Sequence, residues 1–218
     1  MQNRIVCFFI LFLFQLSCTN KRNIPIYYKL PREAMSGYEA LDQFVNTDSL
    51  NIDLLEWAIF DETNIQRERL GLLPLKYEYR LQQGARLHSM EMVNLNYFDH
   101  FSPVKENETV KKRIRTAGIK KGDSGENIAI HPKQKRLDII YRLAGTASPT
   151  KYVWRNKGRY YSYQEFAREL VRRWLNSAPH RANIFSRGFK FTGVGAVPST
   201  YLETAVFYVT QNFSTTNY

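Results

Sequence analysis

Leu81, Ala85, His88, Met92 and Leu95 follow one another at steps of 4, 3, 4 and 3 residues, the interval at which side chains stack along one face of an α-helix. Such a stripe must be buried against a second element. Leu54, Leu55, Ala58, Ile59 and Ile65 ahead of Gly71, and Tyr163, Phe166, Leu170 and Trp174, show the same period. The spacing predicts helices over 54–70, 81–96 and 163–176, and a short basic one over 109–117, with Glu169 and Arg173 as an i,i+4 pair on the wet side of the last long helix. The runs 126–130, 192–197 and 205–213 are rich in Val, Ile, Phe and Tyr and flanked by Gly or Pro, so they read as strands. Between residues 151 and 163, Asn156-Lys157-Gly158 suggests a hairpin turn. Helices enclosing a small sheet make an α+β layered domain. It begins near Asn51, after a tether and loosely ordered approach over 19–50 that Pro25 and Pro31 interrupt. A chain of 218 residues suits one such domain.

The first eighteen residues read as an export signal. Arg4 gives a positive start, Ile5 to Phe14 is an apolar run, and Leu16-Ser17-Cys18 offers small residues for cleavage. The run is too short to span a bilayer. The ending resembles a bacterial lipoprotein signal in which Cys18 becomes the acylated first residue, although Gln15 stands where an aliphatic residue is usual; simple secretion is the alternative. With Cys7 and Cys18 both in this segment, the mature body has no cysteine, which excludes disulfides and cysteine nucleophiles. The net charge of +11 favours anionic partners such as membrane headgroups, while export argues against nucleic acid. Lys111, Lys112, Arg113, Arg115, Lys120 and Lys121 read as a solvated basic face, or as one that settles on anionic headgroups.

Glu126 shares a strand face with Ile128 and Ile130, so its carboxylate is directed toward apolar surroundings and requires a partner. His100, just after a helix end, and His180, in a tight link after the last long helix, are the candidates. One carboxylate and two imidazoles are ligands that bind zinc with an open position; they would serve equally as a buried hydrogen-bond cluster. Ser102 and Ser177 adjoin the two histidines and keep a Ser-His-Glu hydrolase open, but no nucleophile elbow positions either serine. Gly122 to Gly125 is a turn rather than a protease motif. His88 reads as a satisfied core histidine, Asn64 and Arg67 as a scaffold network, and Gln211 as either a cavity-border residue or a strand amide.

The ordered blocks NIQRERLGLLPL, HSMEM, FDHFSP, GENIAI, WLNSAPHRANI, GVG and FYVTQNF closely resemble the CAP superfamily (cysteine-rich secretory, wasp-venom antigen and pathogenesis-related proteins; SCP-like) in its bacterial form. The resemblance implies an α-β-α sandwich with a small central antiparallel sheet flanked by helices, and a cavity lined by two histidines and two glutamates that hold a divalent metal in some members. The matching positions are His100, Glu126 and His180; Ser177 stands where the second glutamate is usual, which weakens a metal site. The segment 131–162 has no family pattern and is expected to be an inserted hairpin. Three functions follow as expectations. The first is a binding module for a lipid, glycan or protein, with weakly bound zinc as a further element. The second is a hydrolase with Glu126 as general base on a water held by the histidines. The third is an adhesion protein working through Tyr152, Trp154, Tyr160 and Tyr161 interleaved with Lys151, Arg155 and Arg159.

Overall fold

The computed structural model describes residues 24–35, 38–46, 50–136 and 157–218. The leader, Cys18, and Lys151, Tyr152, Trp154 and Arg155 of the expected hairpin lie outside them. The described helices are α1 (Arg32–Met35), α2 (Ile52–Glu68), α3 (Tyr79–Asn94), α4 (Val110–Thr116), α5 (Tyr163–Leu175) and α6 (Ala178–Phe185). Their starts are capped locally: Asn51 accepts from the Leu54 amide, Thr109 from Lys112, and Ser162 and Glu165 form a reciprocal capping box at α5. The ends of α2, α3 and α4 follow one device. Gly71, Asn96 and Gly118 adopt φ of 66°, 53° and 101°. The next amide then bonds back five residues, Leu72 to Arg67 O at 3.0 Å, Tyr97 to Met92 O at 3.1 Å and Ile119 to Ile114 O at 3.1 Å, the Schellman closure.

The main sheet has the order β1-β5-β6-β2, with β1 (Lys76–Tyr77), β2 (Ser124–Pro132), β5 (Phe191–Tyr201) and β6 (Thr204–Ser214); β3 (Gln134–Arg136) and β4 (Lys157–Tyr160) form a separate pair. The β2, β6 and β5 strands are antiparallel, as expected, whereas the two-residue β1 pairs parallel to β5. The β5–β6 hairpin runs further than the sequence suggested and turns at Leu202 and Glu203, both at positive φ (47° and 63°). Neither residue type announces such a turn.

Period two sorts β6 between two helical layers. Phe207, Val209 and Phe213 pack with Leu54, Leu55 and Ile59 of α2 and Phe166, Leu170 and Trp174 of α5, while Val206 and Tyr208 join Met92 of α3 and Ile128 of β2. The α-β-α sandwich expected from the resemblance is what forms. α3 lies against β5 where a side chain would obstruct it: a Cβ on Gly193 would fall 2.2 Å from the Gln82 nitrogen, and one on Gly195 2.2 Å from the Arg86 nitrogen. The outer edge of β2 is closed by side chains, since its carbonyls at Glu126, Ile128 and Ile130 accept from Asn183 Nδ2 (3.0 Å), Trp174 Nε1 (3.2 Å) and Arg173 Nη1 (3.4 Å).

Three expectations are corrected. Among the described residues of the approach before Asn51, Met35, Leu41 and Val45 are buried in the main core, and Arg32 bridges Asp61 and Glu68 of α2 at 2.5 Å each. Glu169 pairs with Arg172 rather than Arg173, whose exposed side chain reaches Ile130 O at the edge of β2. Lys157 and Gly158 lie within strand β4, not at a turn; Gly158 is needed because a Cβ there would meet Lys135 O at 2.0 Å. Among the described residues no helix is long and apolar enough to cross a membrane.

Candidate functional site

Glu126 is buried on the α3 side of β2, as its alternation with Ile128 requires. Both oxygens of its carboxylate are engaged. Oε2 accepts from Arg113 Nη2 at 2.6 Å and Oε1 from His100 Nδ1 at 2.9 Å. Asn212, directly opposite on β6, is assigned the amide orientation that satisfies both of its ends, in which it donates to Oε2 at 3.1 Å and accepts from the Ala85 amide at 3.1 Å. Burial of an acid among apolar neighbours is tolerated because a cation and two further donors meet it.

Arg113 is the residue that sequence reasoning missed. It lies within the run expected to be a solvated basic face, yet its side chain has no exposure. Of the remaining members, Lys111, Arg115, Lys120 and Lys121 are exposed as expected, while Lys112 is half-buried and pairs with Glu108 at 2.6 Å. A signal was present: at helical spacing Arg113 shares a face with Val110, Ile114 and Ala117. Its guanidinium donates to Asn107 O (2.7 Å), Glu108 O (3.5 Å) and His100 O (3.1 Å) as well as to Glu126. One cation therefore fixes both the acid and the backbone that carries His100.

His100 stands on the loop that follows α3. Ser102 pins that loop by donating to Glu91 Oε2 at 2.8 Å and accepting from the Val104 amide, so its hydroxyl is committed to structure. Asp99 accepts from the Phe101 amide. Held by Glu126 through Nδ1, the His100 ring leaves Nε2 free, and its side chain is 46% exposed. His180 reaches round the edge of β2 from α6, whose backbone is tied down by Asn127 Nδ2 donating to His180 O at 3.3 Å. The two imidazole centroids lie 6.4 Å apart. Burial, and then the neighbouring His100, hold His180 below the ordinary histidine pKa. The structure thus brings His100, Glu126 and His180 to one place, and His100 opens it to solvent. Ser177 is the N-cap position of α6 and makes no side-chain cap bond.

The zinc expectation does not fit these residues. Both Glu126 oxygens are occupied and one is neutralised by Arg113, so a divalent ion would compete with a buried guanidinium. Among the described residues no group of three or more His, Cys, Asp or Glu side chains is arranged to hold a metal ion.

The other histidines are structural. His88 is buried, its Nε2 bonded to Asp99 O at 3.0 Å and its Nδ1 to the Tyr97 hydroxyl at 3.3 Å, and it stands 3.7 Å from Glu126 as part of the wall behind the acid. His131 lies between Tyr161 and Phe166. Asn64 closes both ways on Leu75, and Arg67 donates to Leu73, Ile184 and Ser186 carbonyls, the expected scaffold network. Gln211 is buried on the α2 side of the sheet, bonded to Thr63 Oγ1 at 3.0 Å, and does not border the site. Tyr161 packs in the core and Arg159 pairs with Glu165, which accounts for both structurally.

Residues 60–213, more than half of the chain, match the model of the cysteine-rich secretory protein family. The uncharacterized protein YkwD of Bacillus subtilis (strain 168) is 30% identical over 157 residues, 72% of this chain and 48% of that protein. The chain spans less than half the length of the curated relatives it matches. Among solved structures, an extracellular protein containing a SCP domain from Bacillus anthracis str. Ames is 28% identical with a TM-score of 0.49, covering 73% of this chain and 40% of that one. An outer surface protein from Borrelia burgdorferi shares 13% identity with a TM-score of 0.50, covering 76% of this chain and 96% of that one. The chain belongs to the cysteine-rich secretory protein family, the CAP family.

Proposed function

We propose that the protein is an extracytoplasmic binding module, carried on the membrane by acylated Cys18, that takes its ligand between His100 and His180. The observation that carries this is the Arg113–Glu126–His100 chain of contacts, 2.6 Å and 2.9 Å long. It spends the acid on orientation rather than on proton transfer, and presents one free imidazole nitrogen beside a second ring. Such a pair donates to or accepts from a polar group on a lipid, glycan or protein ligand. The N-terminal pattern around Cys18 supports export and anchoring.

The hydrolase reading retains one point in its favour, since a carboxylate behind an imidazole is how a histidine base is oriented. The base would then be His100, not Glu126. Screening the whole protein and its His100→Ala variant for ester, peptide and glycoside turnover, and in parallel for retention on immobilised lipid, glycan and peptide panels, separates the two. Retention lost in His100→Ala and His180→Ala without turnover in the parent is the expected result. Turnover that the His100 substitution abolishes would replace binding by catalysis.

A further inference from the structure

We propose that the face built from residues 24–32 and 68–77 seats the domain on an anionic lipid surface. This deepens the anchored reading above and rests on it. The two segments line one groove, with Ile24, Lys29 and Leu30 on one side and Glu68, Pro74 and Lys76 on the other. They are held as a single surface by Tyr28 stacked on Tyr77 at 3.6 Å and by Arg32 bridging Asp61 and Glu68.

The chemistry of this face is that of the membrane interface. Of the seven exposed large aliphatic side chains among the described residues, four fall in these two segments: Leu30 lines the groove, and Ile26, Leu70 and Leu73, the last 78% exposed, stand within two residues of its lining along the chain. The other three, Met90, Leu95 and Leu202, are spread over the rest of the fold. Lys29, Arg69 and Lys76 are exposed beside them. Arg32 neutralises part of the local acid, leaving these three cations for an outside partner. Apolar side chains fringed by Lys and Arg favour the headgroup boundary of an anionic bilayer.

The anchor makes the occupant specific. Cys18 and Ile24 are six residues apart in the sequence, a length of chain that covers at most about 20 Å fully extended. Lys21 and Arg22 lie within it. An acylated Cys18 therefore holds this face, and not the hairpin tip at Leu202, against the headgroups.

The test uses the whole chain with Cys7→Ala and Cys18→Ala, so that one introduced cysteine carries an environment-sensitive dye at Leu73→Cys or, as reference, Leu202→Cys. Vesicles of phosphatidylcholine with phosphatidylglycerol are compared with phosphatidylcholine alone. The dye at 73 is expected to shift to the blue on the anionic vesicles but not on phosphatidylcholine alone, and the dye at 202 to stay unchanged; insertion of the apolar leader would shift the dye at 73 on both kinds of vesicle, and that result overturns the proposal. Combined Lys29→Glu, Arg69→Glu and Lys76→Glu substitutions, with folding checked by circular dichroism, are expected to weaken the response roughly a hundredfold in lipid concentration. The proposal is overturned by a silent dye at 73 or by equal shifts at both positions. It is equally overturned by a shift at 73 that grows with protein concentration without lipid, which would mean self-association. Loss of the shift only when Lys111, Arg115, Lys120 and Lys121 are reversed would assign the seat to α4 instead. The mass of the Cys18 peptide from cells is read separately. Unmodified Cys18 with a responsive dye removes the anchor and leaves the seat; acylated Cys18 with a silent dye does the reverse.

Discussion

Replacing Arg113 by methionine tests the centre of the site. The guanidinium is fully buried, contacts Glu126 at 2.6 Å and donates to three carbonyls of the 100–108 segment. Methionine fills most of the volume but leaves an ionised, buried carboxylate held only by His100 and Asn212 without its cation, and breaking one partner of a buried pair costs about 3–5 kcal/mol. The freed carbonyls lie near the surface, where water replaces part of their bonding, so they add little. We expect a loss of about 4 kcal/mol, a large share of the roughly 5–15 kcal/mol typical of a domain. Glu126→Leu alone should also be costly, since it strands the cation. The double variant Arg113→Met with Glu126→Leu should recover most of the loss, because exchanging a whole buried pair for apolar groups is often neutral. Urea unfolding of the four proteins completes the cycle. Costs below about 1 kcal/mol for the arginine variant, or losses that simply add in the double variant, would refute the coupling.

Three further outcomes rest on the same packing. Glu126→Lys should lower the melting temperature more than Glu126→Ala, because it places a second cation against Arg113; equal melting points would mean that the side chain escapes to solvent. Gly195→Ala should cost about 3 kcal/mol by overpacking, its Cβ falling 2.2 Å from the Arg86 nitrogen, whereas Gly188→Ala, whose nearest neighbour is 3.5 Å away, should be close to neutral; calorimetry that ranks them equally would contradict the close approach of α3 to β5. Burial holds His88 below its ordinary pKa, so the unfolded chain takes up a proton first, near about pH 6.5. The stability it contributes is complete above that pH and lost as pH falls below it, at no more than about 1.4 kcal/mol per pH unit. Urea melts of the parent and His88→Gln between about pH 7 and pH 5 should diverge in slope, and parallel slopes would count against a buried neutral ring.

The helical layers were legible because each helix buries a stripe whose period is set by its own backbone, and because Asn51, Thr109 and Ser162 cap within three residues. The strands were legible as segments but not to their ends, since the pairing of β5 with β6 carries both as far as Leu202 and Glu203. Glu126 needed a partner on sequence grounds alone, and His100 supplies part of it. That Arg113 supplies the rest was hidden by its basic neighbours, as charge along the chain says nothing about which side chain a short helix turns inward.

Local features belong to the chain before it folds: helix periods and stops, the inward face of the GENIAI strand, and the glycines at 193 and 195. Which charges meet is settled later, when the layers pack. The acid on β2, the cation on α4 and the imidazoles of the α3 loop and α6 are drawn from four separate elements. A buried carboxylate accepts whichever donors that packing brings within about 3 Å, and no stretch of sequence read alone holds that distance.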